Sequence, residues 1–218
     1  MFTTRFEAWV RRRAEALMST LGRVPVTPNQ ITVIGVALTF VASVLVAAGH
    51  LRGAGVVLIF AGTFDILDGA LARSSGRAYP YGAFLDSTLD RYSEGAIYIG
   101  LAAYFAGTGG PLQRWLLVAT VAALAGSFLV SYVRARAQSL GFTCDTGVFA
   151  RPERVVATVV GLIFGGPVLY LVIFLLAILT NLTALQRIRE VWLQGRAQRL
   201  ALEREAAAAP KRGNTVTP

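Results

Sequence analysis

The sequence predicts an all-α integral membrane protein of six transmembrane helices, preceded by an amphipathic helix on the membrane surface. Three observations carry that prediction. Only 15% of the 218 residues are charged and 55% are hydrophobic, where a soluble domain carries nearer a quarter charged. The apolar residues come in runs without a single charge, at 31–49, 53–64, 95–110, 115–133 and 155–185. The basic residues, 21 Lys and Arg against 12 Asp and Glu, are unevenly placed.

A spanning helix needs about 20 apolar residues to cross a hydrocarbon core of about 30 Å. The runs predict helices over 29–49, 54–74, 83–107, 113–137, 152–165 and 167–190, the last run being split at Gly165, Gly166 and Pro167. With both termini on one side, the far-side turns hold only Arg52 and Arg114, and every other basic residue falls on the terminal side. That asymmetry predicts cytoplasmic termini in a multi-pass cell-membrane protein. A soluble nucleic-acid binder would also be basic, but it could not hide this much continuous apolar sequence. The single cysteine, Cys144, rules out an internal disulfide.

Residues 1–22 have charges through their middle, unlike a cleavable signal peptide. Phe2, Phe6, Trp9, Val10, Ala14, Leu17, Met18 and Leu21 recur there at helical spacing. This predicts an interfacial helix with arginines toward anionic lipid. Residues 23–190 form the expected membrane domain. Residues 191–218 form a cytoplasmic extension, expected to be disordered from about 206 because apolar periodicity is lost.

The chemistry lies in the aspartates. Of the five in the chain, Asp65, Asp68, Asp86 and Asp90 fall in membrane segments, where a charge is costly and functional by default. Asp65 and Asp68 are i, i+3 on the second helix; Asp86 and Asp90 are i, i+4 on the third. Each pair therefore projects from one helix face. The short Ser-, Gly- and Pro-containing connection between the helices makes them antiparallel neighbours, so the four carboxylates converge. Like charges so close need divalent cations, and an all-carboxylate site suits Mg²⁺ or Mn²⁺ rather than zinc. Two ions in one site would suit phosphoryl chemistry. Gly69 and Gly82 leave room beside the cluster, and Arg73 offers a fork for a phosphate oxygen. The bland alternative is a structural ion-pair network, for which Arg73 and Arg91 are the only partners the sequence suggests. A divalent-cation transporter is the alternative from another functional class, and it leaves the adjoining arginine unexplained.

Asp65-Ile-Leu-Asp68-Gly69-Ala70-Leu71-Ala72-Arg73, then Gly82, Asp86 and Asp90, resembles the signature of the CDP-alcohol phosphotransferase family, D-x2-D-G-x2-A-R-x8-G-x3-D-x3-D, at every defined position. The resemblance implies metal ligation by Asp65, Asp68, Asp86 and Asp90, with Asp90 also the general base. It implies two Mg²⁺ or Mn²⁺ ions, a homodimer, and CDP-diacylglycerol entering from membrane lipid. Gly69, Arg73 and Gly82 would line the CDP pyrophosphate. Asn29, Gln30, Ile31 and Thr32, in a stretch similar to the family's PNxxT, would contact the nucleotide. Tyr79, in the connection between the second and third helices, would flank the nucleotide at a place where many relatives carry a small hydroxyl residue.

Three arginine-bearing blocks lie at cytoplasmic helix ends: SYVRARA, RPERVV and Gln186-Arg187. They resemble the actinobacterial branch of that family that uses inositol 1-phosphate. Arg134, Arg154 and Arg187 would then grip the acceptor's phosphate, with glycerol 3-phosphate as the alternative acceptor. For Arg136, Arg151 and Arg189 the sequence leaves plain topological charge and a pocket role equally open.

Overall fold

The computed structural model describes residues 28–74, 80–144, 146–147 and 149–208. The interfacial helix expected over 1–22, and Tyr79, lie outside them. Among the described residues there are six helices and no strand. They are α1 (Pro28–Ala47), α2 (Leu51–Ser74), α3 (Pro80–Thr108), α4 (Gln113–Ser139), α5 (Arg151–Phe164) and α6 (Gly166–Ala208).

Helix starts and stops follow local chemistry. Pro28 and Pro80 open α1 and α3, where the missing N–H would have had no helical partner anyway. α1 ends in a Schellman turn: Gly49, at φ 82, donates to the Val46 carbonyl and His50 donates to Leu45. The α5–α6 break falls at Gly165 (φ 64) and Gly166 (φ 46), followed by Pro167. Three helical stretches are long and apolar enough to cross a membrane: Asn29–Ala47, Gln113–Ser139 and Gly166–Ala207. The other three fall short for physical reasons. α2 and α3 carry carboxylates within their length. α5, at 14 residues, rises only about 21 Å.

The last helix departs from expectation. It runs unbroken for 43 residues, about 64 Å, twice the hydrocarbon thickness. The expected end near 190 does not hold, since the helix continues through Ala208. Residues 191–208 lose apolar periodicity because they leave the membrane, yet they are rich in the strong helix formers Ala, Leu, Glu, Gln and Arg. Arg199 pairs with Glu203 one turn on at 2.9 Å, and the Arg196 guanidinium lies 5.7 Å from the centre of the Trp192 ring.

The close-packed pairs are α1 with α2 and α3, α2 with α5, α5 with α6, and α4 with α6 and α3. They close a ring in the order α1–α2–α5–α6–α4–α3. The tightest core gathers at the far end of this ring: Val46, Ala54, Leu101, Phe105, Leu116, Leu162, Leu169 and Ile173 are all buried. Large apolar side chains such as Val44, Phe60, Ile99, Val121, Leu171 and Ile178 are exposed around its outside. A surface this apolar belongs in lipid, and the protein is a membrane protein. At the opposite end the ring carries the carboxylates and the arginines that pair with them.

Candidate active site

α3 brings Asp86, Asp90 and Glu94 to successive turns of one face, and α2 brings Asp65 to meet them. The approach depends on Gly35 of α1, where a Cβ would lie 3.3 Å from the Phe64 Cβ beside Asp65. One carboxylate oxygen from each of Asp65, Asp86 and Asp90 lies within 4.8 Å of the others. Asp90 is the most enclosed, at 9% exposure. The side chains of Asp68, Gly69 and Arg73 lie outside those described, although the α2 backbone continues through Ser74.

At the other end of the signature, Gly82 faces the start of α1. A Cβ there would sit 3.8 Å from the Asn29 Oδ1. Asn29 and Gln30 are exposed on the first turn of α1, while Ile31 and Thr32 are buried beneath them.

The third wall is the start of α5. Ala150 is extended and Pro152 sits in the first turn, which sets the helix going immediately after the 140–150 loop. Arg151 then bridges two of the carboxylates, Nη1 to Asp65 Oδ2 at 2.8 Å and Nη2 to Asp90 Oδ1 at 2.7 Å. Arg91 reaches the other Asp90 oxygen at 3.3 Å, and its Nε is buried with no hydrogen-bond partner among the described residues. The sequence reading counted Arg73 and Arg91 as the only cationic partners; Arg151 is a further one. It was missed because its partners are 61 and 86 residues away in the chain, and Arg151 looks like any positive-inside charge.

One turn along α5, Arg154 is 2% exposed and forms a two-point pair with Glu94: Nε to Oε1 at 2.7 Å and Nη2 to Oε2 at 3.2 Å. Its Nη1 donates to the Phe149 carbonyl. Arg187, at 4% exposure, donates to the carbonyls of Val130 (2.6 Å) and Thr146 (2.8 Å). It lies within electrostatic reach of both Arg134 and Arg154. Arg134, Arg154 and Arg187 are therefore neighbours across three helices, though the last two are engaged with protein partners.

The remaining arginines separate. Arg136 is exposed at the end of α4, against Ser139. Arg189 lines a different cleft of about 450 Å³ with Thr146, Gly147, Gln186, Glu190 and Leu193.

Hard oxygen donors from three carboxylates fit a divalent cation of the magnesium or manganese kind. Arginine forks beside such a group complete the layout of a membrane-embedded enzyme that handles phosphates. Residues 25–193 match the CDP-alcohol phosphatidyltransferase family, and the chain belongs to it. It is a phosphotransferase of phospholipid biosynthesis.

Two relatives illustrate the match. The phosphatidylinositol phosphate synthase of Mycobacteroides abscessus is 37% identical over 181 residues, covering 80% of this chain and 81% of the relative. The archaetidylinositol phosphate synthase of Pyrococcus horikoshii is 37% identical over 182 residues, covering 83% and 92%. Among solved structures, Mycobacterium tuberculosis phosphatidylinositol phosphate synthase with CDP-DAG bound superposes with a TM-score of 0.76 at 34% identity, covering 83% of this chain and 94% of that one. The same enzyme in complex with manganese and citrate gives a TM-score of 0.75 at 34% identity, covering 82% and 88%.

Proposed function

We propose that this protein transfers the phosphatidyl group of CDP-diacylglycerol to inositol 1-phosphate, giving phosphatidylinositol phosphate and CMP. The observation that supports the acceptor reading is the nearness of Arg187 to Arg134 and Arg154, with Arg154 one turn along α5 from Arg151, which pairs with Asp65 and Asp90. The relatives named for an inositol phosphate product differ in the lipid they name, phosphatidyl in one and archaetidyl in the other. What they share is the headgroup.

Asp65, Asp68, Asp86 and Asp90 hold two Mg²⁺ or Mn²⁺ ions in this reading, and those ions stabilise charge on the phosphates when bound. Gly69, Arg73 and Gly82, with Asn29, Gln30, Ile31 and Thr32, cradle the CDP half. Tyr79 flanks it. Arg134, Arg154 and Arg187 hold the acceptor's phosphate, which aims its free hydroxyl at the lipid-side phosphorus. Asp90 takes the hydroxyl proton. The new P–O bond forms as the bond to the bridging oxygen breaks, and CMP leaves with that oxygen. Six helices cross the cell membrane with both termini cytoplasmic, residues 1–22 lie on its surface, and two copies form a homodimer.

The test is transfer from CDP-diacylglycerol by purified protein in detergent with Mg²⁺, offering inositol 1-phosphate, glycerol 3-phosphate and free inositol. Inositol 1-phosphate should be the fastest acceptor. Free inositol should be poor, since a charge-assisted phosphate contact is worth about 1.5–3 kcal/mol. Faster transfer to glycerol 3-phosphate would overturn the inositol assignment while leaving the phosphate pocket in place.

A further inference from the structure

Between α3 and α5 the structure builds a ladder of two rungs. Asp90 and Glu94 are one turn apart on α3, and Arg151 and Arg154 are one turn apart on α5. Arg151 meets Asp90 at 2.7 Å, and Arg154 meets Glu94 at 2.7 Å. The rungs differ in environment. The Arg151 side chain is 29% exposed, while Arg154 and Glu94 are 2% and 11% exposed.

The backbones of α3 and α5 are not among the closely packed helix pairs. The ladder therefore joins two helices whose backbones are not closely packed along their length. A buried ion pair is a poor source of stability, because desolvation offsets much of the attraction. What such a pair does well is fix geometry. Glu94 takes the side of the guanidinium formed by Nε and Nη2. A guanidinium has five N–H donors in a rigid plane. Among the described residues, Glu94 and the Phe149 carbonyl take three of the five N–H groups of this buried side chain. Glu94 fixes the plane in which the other two donors, one on each terminal nitrogen, lie.

We propose that Glu94 is a positioning residue for the acceptor: it locks the plane of the Arg154 guanidinium so that its remaining terminal donors are aimed for the acceptor phosphate. It acts through Arg154 and touches neither the reacting atoms nor the CDP half. This rests on the reading of Arg154 as an acceptor contact. The role is specific to an acceptor with an anionic group, since a neutral alcohol would gain nothing from the aimed fork.

The experiment compares wild type, Glu94→Gln, Arg154→Gln and the double variant, with both KM values and kcat measured at saturating Mg²⁺. Glu94→Gln should raise the KM for inositol 1-phosphate about tenfold or more, while the KM for CDP-diacylglycerol moves less than about twofold. The double variant should match Arg154→Gln alone, because the two side chains act as one unit. Equal losses on both substrates, a fall in kcat alone, or additive effects in the double variant would each overturn the proposal. If Glu94→Gln does not purify as a folded protein, Glu94→Asp replaces it. The shortened carboxylate should raise the acceptor KM selectively, and an unchanged acceptor KM there would overturn the proposal. An Arg154→Gln variant with a wild-type acceptor KM would instead sink the acceptor role of Arg154, and with it the premise.

Discussion

Asp90 carries the heaviest load of any residue. It is enclosed on α3, it shares the carboxylate cluster with Asp65 and Asp86, and arginines engage both of its oxygens. In the proposed reaction, Asp90→Asn removes the proton acceptor and one metal ligand but keeps the shape. Turnover should fall by at least about a hundredfold, the scale of a lost general base. Binding of CDP-diacylglycerol should change only a few-fold, as equilibrium binding of a fluorescent analogue would show. Substantial residual turnover would remove the base assignment. The spacing that marks the aspartates was legible because side chains three or four apart on a helix share a face whatever surrounds them. The partners of Arg151 and Arg154 were not legible. An arginine at a cytoplasmic helix end has the same local sequence whether it faces water or a carboxylate on another helix.

Elements meet where side chains are small enough to let them. At Gly100 of α3, an added Cβ would lie 2.5 Å from the Ser43 carbonyl oxygen of α1, a backbone atom that cannot rotate away. Gly107, on the same helix, has nothing within 4 Å of that position. Gly100→Ala should therefore destabilise by about 1–3 kcal/mol, the usual cost of overpacking. Gly107→Ala should be neutral or slightly stabilising. Thermal unfolding in detergent separates the two, and equal melting temperatures would mean that the α1–α3 crossing is looser than it looks. The length of α6 belongs to this scale too. Apolar periodicity reports where a helix is buried in lipid or protein, so it ended at the membrane surface. The helix went on because its exposed stretch has good intrinsic propensity.

For the whole molecule, the ring of helices places the closed core at the far end and the carboxylates and arginines at the other. Both described chain ends then sit on the arginine-rich side. Cys144 is the chain's one cysteine and is fully buried, so a Cys144→Ser background makes labelling unambiguous. On that background Leu112→Cys, in the α3–α4 turn, should react with a membrane-impermeant maleimide added to intact cells. Arg204→Cys, near the end of α6, should react only after permeabilisation. The reverse pattern would invert the topology and put the active site on the wrong side of the membrane for a cytosolic phosphorylated acceptor.

The sequence by itself located the six helices of the described residues, where each begins, and the spacing of the carboxylate signature. Each of these is set by periodicity or composition within one continuous segment. Only the tertiary structure decided the order of helices around the ring, the placement of Arg151 on Asp65 and Asp90, and the pairing of Arg154 with Glu94. Those contacts join residues about 60 to 86 positions apart. No local pattern encodes such a distance, because it depends on how three helices pack at once.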